Sequence, residues 1–325
     1  MSVNATSVDA LIPEYWRTAD DSVDPKDANP QDTELMAAIS RPEGMLFEMG
    51  KRLGPYMMGN DTSVEGDRVR TRYSIDILER KKPGFMTIHL SSLDEIEHMT
   101  GPFSKESNQT LKEIDVMVGQ LIDAAMKNDS NTVVVIVSDH GFTKVNHALN
   151  IAIPFLQSGL IQVKADGNGK VSVASWKAEP WASGGMAAIM LHDPADAKTR
   201  EEVRALLGRL AADPENGIAK ILSREEIRAM GGFPDAEFLM ALKPGYLITG
   251  GLSGALVSDL PQELGAHGYL SSYPEMRASL FVMGQGIARG RDLGVIDMRQ
   301  IAPTVASILE VKLPTAKQPE LNVTH

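Results

Sequence analysis

The sequence contains no cysteine among its 325 residues. This absence excludes disulfide bonds, thiolate metal sites and cysteine nucleophiles. Any metal ion must therefore be held by histidine and carboxylate side chains.

Long apolar runs are also missing from the chain. No segment approaches the roughly 20 consecutive apolar residues that a membrane-spanning helix needs. The N-terminal sequence MSVNATSVDALIPEYW has neither the basic start nor the apolar run of a signal peptide. We therefore expect no membrane span, and a cytoplasmic location unless a missing N-terminal segment carries a signal peptide.

Positive charge is in deficit. The chain has 32 Lys and Arg against 43 Asp and Glu, which gives a net charge of −11. This balance argues against a nucleic-acid duplex or an anionic membrane surface as the main partner. If the substrate is a small-molecule phosphate ester or a nucleotide, something other than a basic surface must hold it.

The pattern of apolar residues predicts an α/β fold. Phe85–Ser91 reads as a strand, and Thr132–Ser138 is a continuous β-branched run, typical of a strand buried on both faces. A long amphipathic helix that begins near Ser104 lies between them. Strand, helix and strand in this order predict a mostly parallel sheet flanked by helices. A further buried strand, Ala278–Gly284, is expected beside the first two.

The pattern of apolar and turn residues changes between residues 161 and 261. Apolar runs become shorter there and are separated by Gly, Pro and Asp turns. The change predicts a smaller α+β, cap-like insert over residues 161–261, in a core domain formed by residues 1–160 plus 262–325. Trp176, Trp181 and Tyr246 in the insert are candidates for stacking on a nucleobase, although packing in a core is the commoner role of such residues.

Potential metal ligands follow the predicted strands. Asp94 comes after the first strand, with His98 four residues later, and Asp139 and His140 come directly after the second. His267 lies between glycines in GAHG, before the last core strand. In parallel α/β sheets, sites form beyond the carboxyl ends of the strands. Asp94 and His98 can converge on one ion, whereas adjacent Asp139 and His140 project in different directions and can serve two.

Each of these motifs has an ordinary alternative explanation. An Asp and a His four residues apart occur often by chance, and Asp and Gly are common turn residues. The chance interpretation weakens when three such elements occur in a cysteine-free chain with only seven histidines. The combination favours a metal centre.

The segments HLSSLDEIEHMTGP, SDHGF and GAHGY resemble, in the same order, the metal motifs of the type I phosphodiesterase/nucleotide pyrophosphatase family of the alkaline phosphatase superfamily. The resemblance extends from about Pro13 to Pro314. It implies an alkaline-phosphatase-like fold and two divalent metal ions, with zinc expected. It also implies how the ions are held: the first by Asp94, His98 and His267, and the second in part by Asp139 and His140.

The nucleophile of that family, a Thr or Ser after the first core strand, is not recognisable. Thr6, Thr18, Thr33 and Thr62 all lie in polar, loop-like sequence, so no catalytic nucleophile is assigned. Because MSVNATSVDALIPEYWR resembles the family segment just after the nucleophile helix, we expect an N-terminally truncated form. A natural short relative that has lost catalysis and kept five metal ligands is the alternative.

Two classes of function follow. The leading hypothesis is a metal-dependent hydrolase of phosphodiester or nucleotide pyrophosphate bonds. The alternatives are a catalytically inactive metal-binding or interaction module on the same fold, and another superfamily hydrolase such as a sulfatase or phosphonate hydrolase. For the chain as given, we expect one tightly bound zinc ion, a second bound weakly, and negligible hydrolysis of phosphodiesters.

Overall fold

The computed structural model describes residues 10–12, 36–56 and 62–324. The helix Val64–Lys81 begins after Ser63, whose Oγ accepts a hydrogen bond from the Gly66 amide at 3.1 Å, and it ends at Lys82, which has a φ of 49°. The helices are α1 (Met45–Leu53), α2 (Val64–Lys81), α3 (Ser92–Thr100), α4 (Lys105–Asn128), α5 (Ala152–Gln157), α6 (Ala197–Ala212), α7 (Arg224–Ala229) and α8 (Ile301–Ile308).

The described strands are β1 (Val133–Val137), β2 (Thr143–Asn150), β3 (Ile161–Ala165), β4 (Val171–Trp176), β5 (Ala178–Ser183), β6 (Met186–Leu191), β7 (Ile218–Ser223), β8 (Phe238–Leu242), β9 (Gly245–Thr249), β10 (Val257–Ala266) and β11 (Leu280–Gly284). They form several small sheets, ordered β1-β11, β10-β2-β9, β3-β4 and β5-β6-β8-β7. Both helices and strands build the described part of the chain, so the predicted α/β class is confirmed.

The chain divides into two compact units. The first consists of Met1–Leu90, Ile114–Ser138 and Ser279–His325, and the second of Ser91–Glu113 and Asp139–Ala278. All five predicted metal ligands belong to the second unit. The predicted division into residues 161–261 and residues 1–160 plus 262–325 stays a prediction.

In the first unit, β1 and β11 are neighbours, as the sequence predicts for Thr132–Ser138 and Ala278–Gly284. They run antiparallel, with Val133 opposite Gly284 and Val137 opposite Leu280. A continuous apolar run indicates burial but carries no information about direction, and the long connection between these strands allows either one.

The predicted strand Phe85–Ser91 does not form among the described residues. Its side chains alternate between exposed and half-buried, but no strand pairing is assigned to the segment. Strand propensity alone does not make a strand, because the ladder needs a hydrogen-bonding neighbour. Among the described strands, β2 and β9 form the one parallel pair, and the other pairs are antiparallel.

The core of the second unit lies around β2, β6 and β8 and the helix α6. It is built from fully buried apolar side chains, which include Leu149, Phe155, Ile189, Leu207 and Leu242. In this core β2 pairs with β9 on one edge and with β10 on the other, so the sheet fixes β2 and β10 side by side.

No helix among residues 10–12, 36–56 and 62–324 is both long and apolar enough to cross a membrane.

A charged cluster in the first unit gives a prediction about pH. Asp76 on α2 accepts hydrogen bonds from Arg52 Nη2 at 2.7 Å and Arg80 Nε at 2.8 Å. Burial raises the pKa of Asp76, but the two guanidinium groups outweigh it and hold the pKa below its ordinary value. The ionised carboxylate therefore stabilises the fold above its unfolded pKa, and this contribution is lost as the pH falls.

Asp76→Asn should lower the free energy of unfolding at pH 7 by about 1 kcal/mol, a modest value because both arginines are partly exposed to water. The deficit should shrink below pH about 4, as Asp76 becomes protonated in the unmodified chain. Urea unfolding at pH 7 and at pH 3 measures both effects. The exposed Asp123→Asn on α4 is the control, and an equal deficit at both pH values would contradict the assignment.

Candidate metal centre

The pairing of β2 with β10 brings two of the metal motifs together. His140 lies just before β2, and His267 directly follows β10. Ala266, the last residue of β10, is paired with Thr143, the first residue of β2. This register places the two histidines side by side, because each lies just beyond the same end of the antiparallel pair.

Asp94 on α3 is the centre of the group. Its Oδ1 lies 3.8 Å from His140 Nε2 and 3.7 Å from His267 Nε2. One ligand atom from each of these three residues lies within 4.8 Å of the others, a spacing that suits metal coordination. Although the Asp94 side chain is 44% exposed, its Oδ1 is buried and has no hydrogen-bond partner among the described residues. A buried, unpaired carboxylate oxygen is costly, and a cation is the partner that would satisfy it.

His98 lies one helical turn after Asp94 and contacts its other oxygen. The His98 Nε2 is 3.6 Å from Asp94 Oδ2. The opposite ring nitrogen, Nδ1, is 3.1 Å from the Gly265 carbonyl oxygen, an acceptor that requires Nδ1 to carry the proton. Nε2 is then the nitrogen with the free lone pair, and it faces the centre. Such a carbonyl contact is how metal-binding imidazoles are commonly oriented.

Asp139 lies at the exposed edge of the group. Its Oδ1 accepts a hydrogen bond from the His140 amide at 3.1 Å, and its Oδ2 lies 3.4 Å from His140 Nε2. The side chain is 81% exposed and stands outside the set of three mutually close ligands. The structure thus brings Asp94, His140 and His267 together, with His98 and Asp139 in contact at either side.

The imidazoles of His140 and His267 are stacked. Their ring centroids are 3.7 Å apart and the rings are nearly parallel, at 12°. Burial lowers the pKa of His267, and the neighbouring His140 lowers it further, while Asp94 opposes the shift. At neutral pH the His267 imidazole is therefore uncharged and its lone pair is available to a metal ion.

Sequence reasoning missed two neighbours of the group. The Phe142 ring packs against His98, His267 and His140, with centroid distances of 4.9, 5.2 and 5.6 Å. Glu97 is half-buried, and its pKa is raised by burial first and by Asp94 second. The spacing of three residues between Asp94 and Glu97 on one helix was the signal available for Glu97. Phe142 could have been suspected only as an aromatic residue in SDHGF.

Two glycines near His140 and His267 allow neighbouring backbones to approach closely. A Cβ on Gly141 would clash with the Glu275 carbonyl oxygen, and a Cβ on Gly265 would clash with the Glu97 carbonyl oxygen. Gly265 therefore lets β10 contact the backbone of α3 directly, which brings His267 to Asp94.

The aromatic residues and threonines considered in the sequence are not part of the metal group. Trp176 and Tyr246 pack against the core of the second unit, whereas Trp181 is 62% exposed and contacts Phe233 edge to face. Thr62 precedes α2 without regular structure, while Thr6, Thr18, Thr33 and most of the segment MSVNATSVDALIPEYWR lie outside the described residues.

Comparison with known proteins gives a family match over most of the chain. The sequence profile of type I phosphodiesterase / nucleotide pyrophosphatase matches residues 7–270. An uncharacterised pyrophosphatase/phosphodiesterase of Schizosaccharomyces pombe is 28% identical over 83 residues, which are 25% of this chain and 17% of that protein.

Solved structures share the fold. Murine ectonucleotide pyrophosphatase / phosphodiesterase 5 superposes with a TM-score of 0.57 at 18% identity, over 79% of this chain and 61% of that one. Phosphonoacetate hydrolase of Sinorhizobium meliloti gives a TM-score of 0.50 at 17% identity, over 72% and 53% of the two chains. The expected alkaline-phosphatase-like fold is thereby confirmed. The chain spans about three fifths of the length of the murine relative.

Proposed function

Since the chain belongs to the type I phosphodiesterase / nucleotide pyrophosphatase family, we propose that it is a metal-dependent hydrolase of phosphodiester or nucleotide pyrophosphate bonds. The observation that carries the proposal is the convergence of Asp94, His140 and His267 on a buried carboxylate oxygen with no hydrogen-bond partner among the described residues. Neutral imidazoles and a carboxylate are the ligands that zinc takes in a cysteine-free site.

We assign the five ligands to two divalent ions, with zinc as the expected metal. Asp94 is common to the group because its two oxygens face different histidines: Oδ1 faces His140 and His267, and Oδ2 faces His98. By family resemblance, Asp94, His98 and His267 hold one ion, while Asp139 and His140 contribute to the second. Bound divalent ions would polarise the phosphoryl oxygens and offset their negative charge.

The protein's own groups orient the site. The Gly265 carbonyl fixes the His98 ring, and burial together with the stacked His140 lowers the pKa of His267, which favours the uncharged form of the His267 ring. The Phe142 ring packs edge to face against His98 and His267, and this contact restricts the rotation of both imidazoles. A metal pair would also explain how a chain of net charge −11 binds an anionic substrate.

A nucleotide is the substrate class that we favour. A murine relative with the same fold has been solved in complex with AMP. The fold neighbour that hydrolyses phosphonoacetate supports a phosphonate hydrolase as the second candidate. A non-catalytic metal-binding module is the alternative of a different class, and it would bind metal without binding either ligand.

The proposal predicts metal-dependent binding of a nucleoside monophosphate. This measurement needs the metal ligands but no assignment of the nucleophile, so it tests the site directly. Calorimetry of the zinc-loaded chain with AMP should show binding, which chelation of the metal should remove. His267→Ala should lose both zinc and AMP.

Phosphonoacetate in the same assay separates the candidates. Stronger metal-dependent binding of phosphonoacetate than of AMP would favour the phosphonate hydrolase. Tight zinc binding with affinity for neither compound would support the non-catalytic module, and AMP binding that survives chelation would overturn the proposed site.

A further inference from the structure

The turn between β5 and β6 packs directly against the backbone of His267. Its two residues are Gly184 and Gly185, and the Gly185 amide donates a hydrogen bond to the His267 carbonyl oxygen at 3.0 Å. Gly184 has a φ of 58°, and a Cβ at this position would clash with the same carbonyl oxygen. From the other side, a Cβ on Gly268 would come within 2.7 Å of the Ser183 carbonyl oxygen. The two backbones touch without intervening side chains.

The far side of this turn is anchored in the core of the second unit. The Gly185 carbonyl accepts a hydrogen bond from the Leu242 amide at 2.9 Å, at the end of β8. The Gly184 carbonyl accepts one from the Ile248 amide of β9, also at 2.9 Å. The turn is therefore hydrogen-bonded to two neighbouring strands, and it cannot shift freely to make room for an added side chain.

Tyr269 completes the contact. Its ring lies where a Cβ on Gly185 would be, and its hydroxyl donates a hydrogen bond to the Tyr246 carbonyl oxygen at 2.6 Å. Tyr269 is only 4% exposed. The chain is thus fixed at the His267 carbonyl and again two residues later, so the backbone that carries the imidazole has little freedom.

We propose that the Gly184–Gly185 turn is a positioning element for the His267 imidazole. The inference rests on the proposed metal centre and extends it to residues that contact no ligand atom. Metal sites require ligand distances within about 0.2 Å of ideal values. Any side chain at position 184 must push the His267 carbonyl away, and the shift moves the imidazole relative to Asp94. Only glycine satisfies both the positive φ and the close approach at this position.

Gly184→Ala is the variant that tests this role. Zinc affinity, measured by chelator competition, should fall by about 10- to 100-fold, the range seen for groups that orient metal ligands. The visible absorption spectrum of the cobalt-substituted protein should change as well, because it reports the arrangement of the ligands. The melting temperature of the metal-free chain is measured in parallel to separate positioning from stability.

Gly169→Ala is the matched control. Gly169 also has a positive φ, 80°, and lies in the turn between β3 and β4, but a Cβ there would meet nothing within 4 Å. The control introduces the same kind of backbone strain without touching His267. It should leave the zinc affinity and the cobalt spectrum unchanged, even where it lowers the melting temperature.

A second pair of variants decides the question if Gly184→Ala does not fold. In Gly185→Ala the new Cβ meets the Tyr269 ring, a side chain that can be made smaller. Adding Tyr269→Leu should therefore restore part of the zinc affinity lost in Gly185→Ala. The same addition should not rescue Gly184→Ala, because the obstacle there is backbone.

The outcomes separate this inference from the proposed function. If the unmodified chain binds no zinc, or binds it independently of His267, the proposed metal centre is wrong. If zinc binding depends on His267 but Gly184→Ala and Gly185→Ala bind it like the unmodified chain, the positioning role is wrong. Equal losses in Gly184→Ala and Gly169→Ala would likewise reduce the turn to an ordinary structural element.

Discussion

An Asp94→Asn variant should bind zinc at least about 100-fold more weakly than the unmodified chain. Loss of a group that merely orients a ligand costs up to about this factor, and Asp94 is a ligand itself in the proposed centre. The substitution preserves the shape of the side chain but removes the negative charge that faces His140 and His267 at 3.8 and 3.7 Å. Metal-dependent AMP binding should be lost with it.

The control for this change is Asp259→Asn. Asp259 also pairs with a histidine in the second unit, through a contact of 2.7 Å between its Oδ1 and His147 Nδ1, but it is not part of the metal group. Chelator competition on both variants should show a loss for Asp94→Asn alone. Unchanged zinc affinity in Asp94→Asn would place the metal elsewhere and overturn the assignment.

Phe155→Ala should lower the free energy of unfolding by about 3–5 kcal/mol. Phe155 is fully buried in the core of the second unit, so truncation removes a large apolar side chain and leaves a cavity. Because β2 is part of this core, the fraction of Phe155→Ala molecules that unfold should also lose the proposed metal centre. Denaturant unfolding of the metal-free chain measures the effect without the contribution of a bound ion.

Phe103→Ala is the control with the same chemical change. Phe103 belongs to the same unit but is 83% exposed, so its replacement should alter stability by less than about 0.5 kcal/mol. Comparable losses of unfolding free energy in the two variants would mean that the core described above does not determine the stability of the second unit.

The sequence was sufficient to single out the five proposed metal ligands, because residue type and spacing are local information. Asp94 and His98 are one helical turn apart, and Asp139, His140 and His267 flank predicted strands. The sequence could not predict which side-chain atoms of these residues lie close together. The contact of His140 and His267 with one oxygen of Asp94 depends on the register of β10 on β2, which no motif encodes.

Strand direction and pairing were harder to predict for the same reason. The run at Thr132–Ser138 predicted a strand correctly, but its antiparallel pairing with β11 is set by how the chain returns after the second unit. Phe85–Ser91 has the composition of a strand and forms none among the described residues. The role proposed for Gly184 was equally invisible, because a glycine pair in a hairpin turn needs no explanation until its neighbour is known.

The three close ligands, Asp94, His140 and His267, come from parts of the chain that are far apart in sequence. A bound ion would act as a cross-link between these segments, closing long loops that the unfolded chain leaves open. The pairing of β2 with β10 places His140 beside His267, so the proposed site is complete only when these two strands are paired. For the proposed zinc centre, a cell with little free zinc would hold less of the second unit in its folded form, since any ligand that binds the folded state alone draws the equilibrium towards it.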